Sequence, residues 1–251
     1  MDILIPLPAE DFDPSESAIP WHVLREAGHR VVFATPDGQP AAADERMITG
    51  AGLGPWSPIL RARRDARELY AKMSQSDEFQ DPCSYDALDE LDFDGMILPG
   101  GHAPGMKPFV ESLQVRAAVV EHMKADKPLG AICHGVLVVA RAEDENGSIL
   151  RGRRSTALPA MMELSAWMMT CLWLGRYYRT YDETVQAEVS RAVGDDGEFL
   201  TGPPALLRDR PDRLGRGFTV IDGNYVSARW PGDVYRFSND FLSLLHADDD
   251  Q

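Results

Sequence analysis

Short apolar runs alternate along the chain with longer amphipathic stretches. The strand-like runs occupy residues 2–7 (DILIPL), 29–35 (HRVVFAT), 94–99 (DGMILP) and 128–132 (PLGAI). Helical patterns fill residues 16–28, 109–124 and 134–142. Continuous apolar runs are typical of strands buried on both faces of a parallel sheet. The pattern predicts an α/β fold, with a doubly wound, mostly parallel sheet flanked by helices (flavodoxin-like).

The last part of the chain predicts a hairpin and a closing helix. Residues 217–222 and 224–229 flank the turn-forming triplet Asp222-Gly223-Asn224, and a helical pattern covers about 233–245. Two further stretches, about 37–90 and 159–191, exceed what the minimal fold needs. We interpret residues 1–251 as a single domain, in which these two insertions form a lid or a dimer surface.

The most apolar stretch, residues 161–181, superficially resembles a membrane helix. Glu163 and Arg176 interrupt it, and its uncharged run is shorter than the roughly 18 residues that a span requires. A buried or dimer-facing helix is therefore the favoured interpretation, and we expect a homodimer.

Charge and cysteine usage narrow the kind of partner. A net charge of -15 argues against nucleic acid and anionic membranes, whose phosphates select clustered Lys and Arg, so the expected partner is a small molecule. The N-terminus has no basic leader followed by an apolar core, so we expect a soluble, cytoplasmic protein. The three cysteines lack paired spacing, which predicts neither disulfides nor a structural zinc site, and no metal is assigned.

Cys133 ends one predicted strand and is followed directly by His134, Gly135 and an apolar helix. This is the layout of a nucleophile elbow, in which a sharp turn projects the side chain into a cleft. The helix N-terminus would lower the thiol pKa and favour the nucleophilic thiolate. A buried structural cysteine is the alternative, since free cysteine is among the most buried residue types.

Three ordered segments carry a resemblance to a known family. They are AICHG at 131–135, DGMILPGGH at 94–102 and ESAIP at 16–20. Together they resemble the ThiJ/PfpI superfamily, whose fold is class I glutamine amidotransferase-like, and within it the heat-shock chaperone and glyoxalase III branch. The resemblance implies that Cys133 is the nucleophile and that Glu16 hydrogen-bonds its thiol and transfers protons.

On its own, Glu16 would be a solvated carboxylate at the start of a helix. Against a thiolate in a partly dry cleft, its pKa should be raised, which suits general acid–base catalysis. By resemblance the Gly101 N–H helps to form an oxyanion hole. The remaining candidates for oxyanion or substrate binding are Gly100, His102, Gly135 and Trp230. A turn cap is the alternative role for His102.

In the similar branch, the histidine after the cysteine completes a Cys-His-acid arrangement. His134 occupies that position, and Glu163 lies about thirty residues beyond Cys133, where the branch places the acid. An exposed helix carboxylate is the equal alternative for Glu163. Some family members carry a histidine where this chain has Leu158, and after His134 the next histidine is His246. Glutamine amidotransfer, which needs a downstream histidine, is therefore excluded.

These features predict a cofactor-free, cysteine-dependent enzyme that converts a small reactive carbonyl such as methylglyoxal into a hydroxy acid. Cys133 would add to the aldehyde, and Glu16 or His134 would move the proton. One alternative is a redox sensor or holding chaperone that uses oxidation of Cys133. A further alternative is a hydrolase, or a biosynthetic lyase or hydratase, acting on an unidentified substrate.

Overall fold

A seven-stranded sheet forms the centre of the protein in the computed structural model, which describes residues 1–205 and 207–247. The strands are β1 (Asp2–Pro6), β2 (Arg30–Thr35), β3 (Cys83–Ser84), β4 (Gly95–Leu98), β5 (Leu129–Ile132), β6 (Thr219–Asp222) and β7 (Tyr225–Ala228). Their order across the sheet is β6-β7-β5-β4-β1-β2-β3. All neighbouring pairs are parallel except β6 and β7, which form an antiparallel hairpin.

Helices cover both faces of the sheet. They are α1 (Pro14–Glu26), α2 (Glu45–Thr49), α3 (Ser57–Leu60), α4 (Arg64–Met73), α5 (Asp77–Gln80), α6 (Lys107–Glu111), α7 (Leu113–Lys124), α8 (Gly135–Arg141), α9 (Ala160–Leu174), α10 (Val185–Val193) and α11 (Val234–Ala247). Helix α1 packs against α4 and α11, whereas α8 packs against α7 and α10. The predicted doubly wound α/β fold is confirmed.

The apolar runs form strands because both of their faces are buried. Ile3, Leu4 and Ile5 of β1 are fully buried, and Ile97 and Leu98 of the neighbouring β4 are fully buried as well. Burial of this kind supplies the main driving force for folding. The predicted strands, the C-terminal hairpin and the closing helix are all found, with bounds shifted by at most two residues.

One predicted helix is divided in two. The pattern at 109–124 predicts a continuous helix, but α6 ends at Glu111 and α7 begins at Leu113. Ser112 lies between them with extended backbone, and its hydroxyl accepts a hydrogen bond from the Val115 N–H at 3.2 Å. Serine favours such an N-cap, so the break follows from local side-chain chemistry.

The two insertions contact each other away from the sheet. A second hydrophobic cluster joins Met47, Leu53 and Ala62 of the first insertion to Tyr178 of the second. Within the first insertion, α4 also packs on α1, and Cys83–Ser84 adds the edge strand of the sheet. Two paired residues carry too little pattern to be predicted as a strand.

Helix α9 is less buried than its composition predicts. Met161, Met168 and Leu172 are 78%, 69% and 92% exposed, while Glu163 and Thr170 are its buried residues. The interpretation as a buried helix is therefore wrong for the single chain. Among the described residues, no helix combines the length and apolarity needed to cross a membrane. The homodimer stays a prediction.

Candidate active site

Cys133 lies in the sharp turn between β5 and α8. Its φ of 57° is in the left-handed region, which non-glycine residues seldom adopt, and its side chain is 4% exposed. This strained conformation is the geometry of a nucleophile elbow, as the sequence predicts. Because β4 and β5 are parallel neighbours, the turn lies beside the carboxyl end of β4, where ligands bind in open α/β sheets.

Gly135 makes this turn possible through packing. A Cβ at position 135 would lie 2.1 Å from the Leu98 carbonyl oxygen and 2.7 Å from that of Pro99. Gly135 is fully enclosed by protein and does not line the cavity that contains Cys133. Gly135 lets the start of α8 approach β4, and its part in oxyanion or substrate binding stays a prediction.

Glu16 is fixed beside Cys133 by the end of β4. Gly100 donates its N–H to Glu16 Oε2 at 2.9 Å, and the Asp13 N–H donates to the Gly100 carbonyl at 2.9 Å. Asp13 also caps α1, since its Oδ1 accepts hydrogen bonds from Ser15 N and Glu16 N. These bonds tie the first turn of α1 to β4. Gly100 thus holds Glu16 and does not itself line the cavity.

Burial controls the protonation of Glu16 and Cys133. Both side chains are enclosed, and burial, followed by the nearby charge of Asp13, raises the Glu16 pKa well above its usual value. Burial, followed by the charges of Glu16 and Asp13, also raises the pKa of the Cys133 thiol. The predicted rise for Glu16 is found, whereas the predicted lowering for Cys133 is wrong, because desolvation outweighs the opposing hydrogen bond from the His134 backbone N–H.

One oxygen of Glu16 is left available. Oε2 accepts the Gly100 N–H, and Oε1 makes no hydrogen bond of regular geometry within the described residues. The carboxyl group lies close enough to the Cys133 thiol to interact with it. A buried acceptor without a regular partner is unusual in a folded protein. The Glu16 carboxyl therefore keeps one acceptor oxygen without a regular partner and lies close enough to the Cys133 thiol to exchange a proton with it.

The His134 ring also reaches the reactive sulfur. Its Nδ1 lies 3.5 Å from Cys133 Sγ, and its Nε2 lies 3.2 Å from the Thr180 hydroxyl oxygen. Thr180 donates its hydroxyl proton to the His102 carbonyl oxygen at 2.7 Å. Since a hydroxyl has a single proton, Nε2 of His134 must be the donor to Thr180. The unprotonated Nδ1 then faces Cys133 as a hydrogen-bond acceptor.

Glu163 does not contact His134. Its Oε2 accepts the Val185 N–H at 3.0 Å, and its Oε1 lies 3.2 Å from Nε of Arg179. The predicted pairing of His134 with Glu163 is therefore corrected, because both carboxylate oxygens face other groups and Thr180 occupies the position of the acid. With no carboxylate beside it, the buried His134 ring has its pKa lowered to about 3, chiefly by desolvation.

A cavity of about 850 Å³ opens above Cys133. Of the predicted site residues, Cys133, Glu16, Gly101, His102, Trp230 and Glu163 line it. His102 stacks on Tyr178 with ring centroids 4.2 Å apart, and burial lowers its pKa to about 4, so its ring is neutral at pH 7. The predicted cleft position of His102 and Trp230 is thus found.

Gly101 presents its backbone to this cavity. Its φ is 156°, and a Cβ there would lie 2.7 Å from the Asp11 carbonyl oxygen, so a side chain would not fit. Within the described part of the chain, its N–H donates to no protein group. A free N–H at the carboxyl end of β4 is compatible with the predicted oxyanion hole, which stays a prediction.

Sequence reasoning missed three residues that the structure brings to the site: Thr180, Asp13 and Arg208. Asp13 had a recoverable signal, because an aspartate directly before Pro14 and a helical pattern is a typical N-cap. Thr180 and Arg208 lie in irregular segments without a local pattern. Among residues 1–205 and 207–247, no group of three or more His, Cys, Asp or Glu side chains is arranged to hold a metal ion.

Comparisons with known proteins place this geometry in a family. A model described as ThiJ/PfpI family-like matches residues 7–193. A deglycase of Pyrococcus abyssi is 25% identical over 98% of this chain and 99% of its own. A glutathione-independent glyoxalase of Schizosaccharomyces pombe is 25% identical over 85% of this chain and 78% of its own. The crystal structure of glyoxalase III from Candida albicans superposes with a TM-score of 0.69 at 15% identity, covering 97% of both chains. The chain belongs to the ThiJ/PfpI family.

Proposed function

We propose that the protein is a cofactor-free, cysteine-dependent enzyme that converts a small 2-oxoaldehyde such as methylglyoxal into a 2-hydroxy acid. One observation carries the proposal: Cys133 lines a cavity, its Sγ lies 3.5 Å from Nδ1 of His134, and the enclosed carboxyl of Glu16 interacts with its thiol. A nucleophile flanked by two groups that exchange protons is the arrangement required for addition to a carbonyl.

The first step is addition of the Cys133 thiol to the aldehyde carbon. The S–C bond forms and the carbonyl π bond breaks, while the thiol proton passes to Nδ1 of His134 or to ionised Glu16. The same group then gives this proton to the carbonyl oxygen, and a hemithioacetal results. At rest the thiol keeps its proton, because burial raises its pKa and lowers that of His134. Proton removal therefore accompanies attack, as in general base catalysis.

Rearrangement then requires a base that moves a proton between adjacent carbons. In the hemithioacetal, the ionised Glu16 carboxylate removes the proton from the carbon bonded to sulfur and returns it to the neighbouring carbonyl carbon. The hydroxyl proton moves from the first oxygen to the second, and the product is a thioester of the 2-hydroxy acid. Water cleaves this thioester, and the Cys133 thiol is regenerated. A carboxyl whose pKa is raised by burial is suited to this work, since it both takes up and returns a proton during the reaction.

The relatives support carbonyl chemistry in general terms. The proteins compared above are named deglycase and glyoxalase, and both names describe action at reactive carbonyl groups or their adducts. The two insertions supply much of the cavity wall, with Met47 and Ile59 from the first and Met162 and Met169 from the second. We propose that they act as the lid that limits access of water to Cys133.

The direct test is formation of lactate from methylglyoxal by the purified protein without glutathione. We expect turnover by the wild type and by Cys171→Ala, a matched control in which a partly exposed cysteine outside the cavity is removed. Cys133→Ala should lose turnover by at least a hundredfold, because no other thiol lines the cavity among the described residues. Equal rates for the wild type and Cys133→Ala would exclude the mechanism.

The structure gives less support to the alternative of a peroxide sensor. Oxidation proceeds through the thiolate, and burial of Cys133 lowers its thiolate fraction by raising its pKa. Intact mass after mild peroxide distinguishes the two functions. The enzyme proposal predicts slow oxidation of Cys133, whereas rapid and stoichiometric addition of oxygen to Cys133 would favour the sensor.

A further inference from the structure

The cavity above Cys133 is rich in arginine, although the chain as a whole carries a net charge of -15. Five arginines and three carboxyl residues are among the described residues that line it. The arginines are Arg63, Arg208, Arg210, Arg216 and Arg229. A cleft lined by positive charge raises the local concentration of anions and lowers that of cations. A positively lined cavity in an acidic protein points to an anionic ligand.

Two of these arginines already have carboxylate partners. Arg229 forms two hydrogen bonds to Asp233, at 2.8 and 2.9 Å, and Arg63 lies 3.3 Å from Asp65. Among the described residues, the other three form no ion pair with a carboxylate. They are Arg208, Arg210 and Arg216.

Of these three arginines, Arg208 acts electrostatically on the acidic residues beside Cys133. Its positive charge acts on the buried carboxyls of Asp13 and Glu16, lowering the pKa of each. Its guanidinium lies 5.2 Å from the centre of the Trp230 ring, and its Nη2 donates to the Ile59 carbonyl oxygen at 3.3 Å. Stacking and one neutral acceptor leave most of its five donors without a partner, and no described carboxylate forms a direct ion pair with it.

The carboxyls of Asp13 and Glu16 do not fully neutralise the Arg208 guanidinium. Burial raises the pKa of both Asp13 and Glu16, and this effect outweighs the opposing influence of Arg208. Each carboxyl therefore carries less negative charge than an exposed one at the same pH. A partly buried guanidinium in such surroundings is stabilised by an external anion.

The rest of the cavity wall is largely apolar and suits a ligand with an apolar body. Its wall includes the side chains of Met161, Met162, Met169, Pro203, Pro204 and Trp230. At about 850 Å³ the cavity is also much larger than a three-carbon aldehyde needs, and pockets of this size bind molecules of drug-like dimensions.

We propose that Arg208 forms an anion subsite in the Cys133 cavity, which binds the carboxylate of a carbonyl substrate whose apolar body packs against the Met, Pro and Trp wall. That the ligand is a carbonyl substrate rests on the proposed function, whereas the binding of a carboxylate by Arg208 does not depend on it. Arg208 would hold the carboxylate through a bidentate pair, and Trp230 would keep the guanidinium plane in place. Methylglyoxal would then be a minimal substrate and not the preferred one.

Calorimetric titration with phenylacetate and with its neutral isostere phenylacetamide tests the subsite without turnover. The wild type should bind phenylacetate at least about tenfold more tightly, since one charge pair in a partly buried site contributes at least this factor. Arg208→Met should reduce the preference to near unity, and Arg208→Lys should keep part of it. Arg213→Met is the matched control, because Arg213 is exposed and lies outside the cavity.

Protection of Cys133 locates the bound anion. Phenylacetate should slow the alkylation of Cys133 by iodoacetamide, as followed by peptide mass, and phenylacetamide should do so far less. Equal affinities in the wild type, or an unchanged preference in Arg208→Met, would overturn the proposal. If Arg208→Met does not fold, the wild-type preference and its reduction in Arg208→Lys decide the question.

The binding test of the Arg208 subsite and the lactate assay of the proposed function can fail independently. Loss of the phenylacetate preference in Arg208→Met, together with no lactate from methylglyoxal, would establish the subsite and exclude the enzyme mechanism. Lactate formation with no preference for phenylacetate would support the enzyme mechanism and exclude the anion subsite.

Discussion

Gly100 donates its backbone N–H to Glu16 Oε2 at 2.9 Å, and a Cβ at position 100 would lie 2.6 Å from that same oxygen. The imagined Cβ would also be 2.8 Å from the Cβ of Cys133. The close approach that allows the hydrogen bond therefore requires glycine. Gly100 sets the distance between the acid–base group and the thiol without contacting the cavity itself.

Gly100→Ala should therefore reduce both activity and stability. The methyl group would displace Glu16 or Cys133, and overpacking of this kind costs about 1–3 kcal/mol in the free energy of unfolding. A displacement of about 1 Å at the reacting groups should lower kcat/KM for methylglyoxal by about a hundredfold. Gly215→Ala is the control, since nothing lies within 4 Å of the Cβ it would add. Unchanged kcat/KM in Gly100→Ala would contradict the positioning role.

The protonation of Glu16 predicts how stability depends on pH. Burial raises its folded-state pKa well above 4.5, so folding favours the protonated acid. This stabilisation is complete below the unfolded-state pKa of about 4.3 and is lost as pH rises through the raised folded-state pKa. Glu16→Gln keeps a neutral group of similar shape and removes the titration.

Urea unfolding of the wild type and Glu16→Gln from about pH 5 to 8 measures this effect. The variant should gain stability relative to the wild type as pH rises, while losing about 10²–10⁴ in kcat through the loss of acid–base catalysis. A stability difference that is constant with pH would show that Glu16 does not titrate in this range.

The sheet could be predicted from the sequence because its central strands are buried on both faces. A run such as Ile3-Leu4-Ile5 contains no polar residue, so its pattern is that of a buried strand. Helix α9 was harder to interpret for the opposite reason. Its residues are apolar on all sides, so the pattern could not indicate that Met161 and Leu172 face solvent.

The site could be predicted only in part. Cys133 has a local signal in its strand-turn-helix context, but its pairing with Glu16 joins segments far apart in the chain and needed the family resemblance. The effect of burial on the thiol pKa was not predictable, because it depends on how completely Cys133 is enclosed. Thr180 carries no pattern at all, since its role arises from the path of the loop after α9.

The tautomer of His134 gives a third prediction. The Thr180 hydroxyl oxygen accepts a hydrogen bond from Nε2–H of His134. Nδ1 is therefore unprotonated and can accept the proton of the Cys133 thiol. Thr180→Val keeps the shape but removes the acceptor, so the buried Nε2–H loses its hydrogen bond. We expect a loss of about 1–3 kcal/mol in the free energy of unfolding and of about tenfold or more in kcat, and Thr180→Ser should restore both.

Nitrogen-15 NMR of the His134 ring separates this role from a loss of packing. The wild type should show the tautomer protonated at Nε2, and Thr180→Val should shift the population toward Nδ1. Thr170→Val is the control, because Thr170 is a buried threonine whose hydroxyl bonds to the Ala166 carbonyl on α9. The same ring spectrum in the wild type and Thr180→Val would rule out control of the tautomer by Thr180.

Glu163 should behave as a structural residue. Its carboxylate holds the Val185 N–H at the start of α10 and pairs with Arg179, whose side chain is 15% exposed. Glu163→Gln removes the charge from a largely buried pair but keeps an acceptor for Val185. The expected cost is about 1–3 kcal/mol in the free energy of unfolding, with kcat/KM changed by less than about threefold.

Comparing Glu163→Gln with Thr180→Val distinguishes the two residues that could support His134. If the family's Cys-His-acid arrangement operated here through Glu163, Glu163→Gln would lower kcat by several orders of magnitude and shift the His134 tautomer. The structure predicts the opposite ranking, since Thr180 lies 3.2 Å from Nε2 of His134 and both Glu163 oxygens face other groups. Steady-state kinetics of the two variants, each measured well below its melting temperature, determines which residue supports His134.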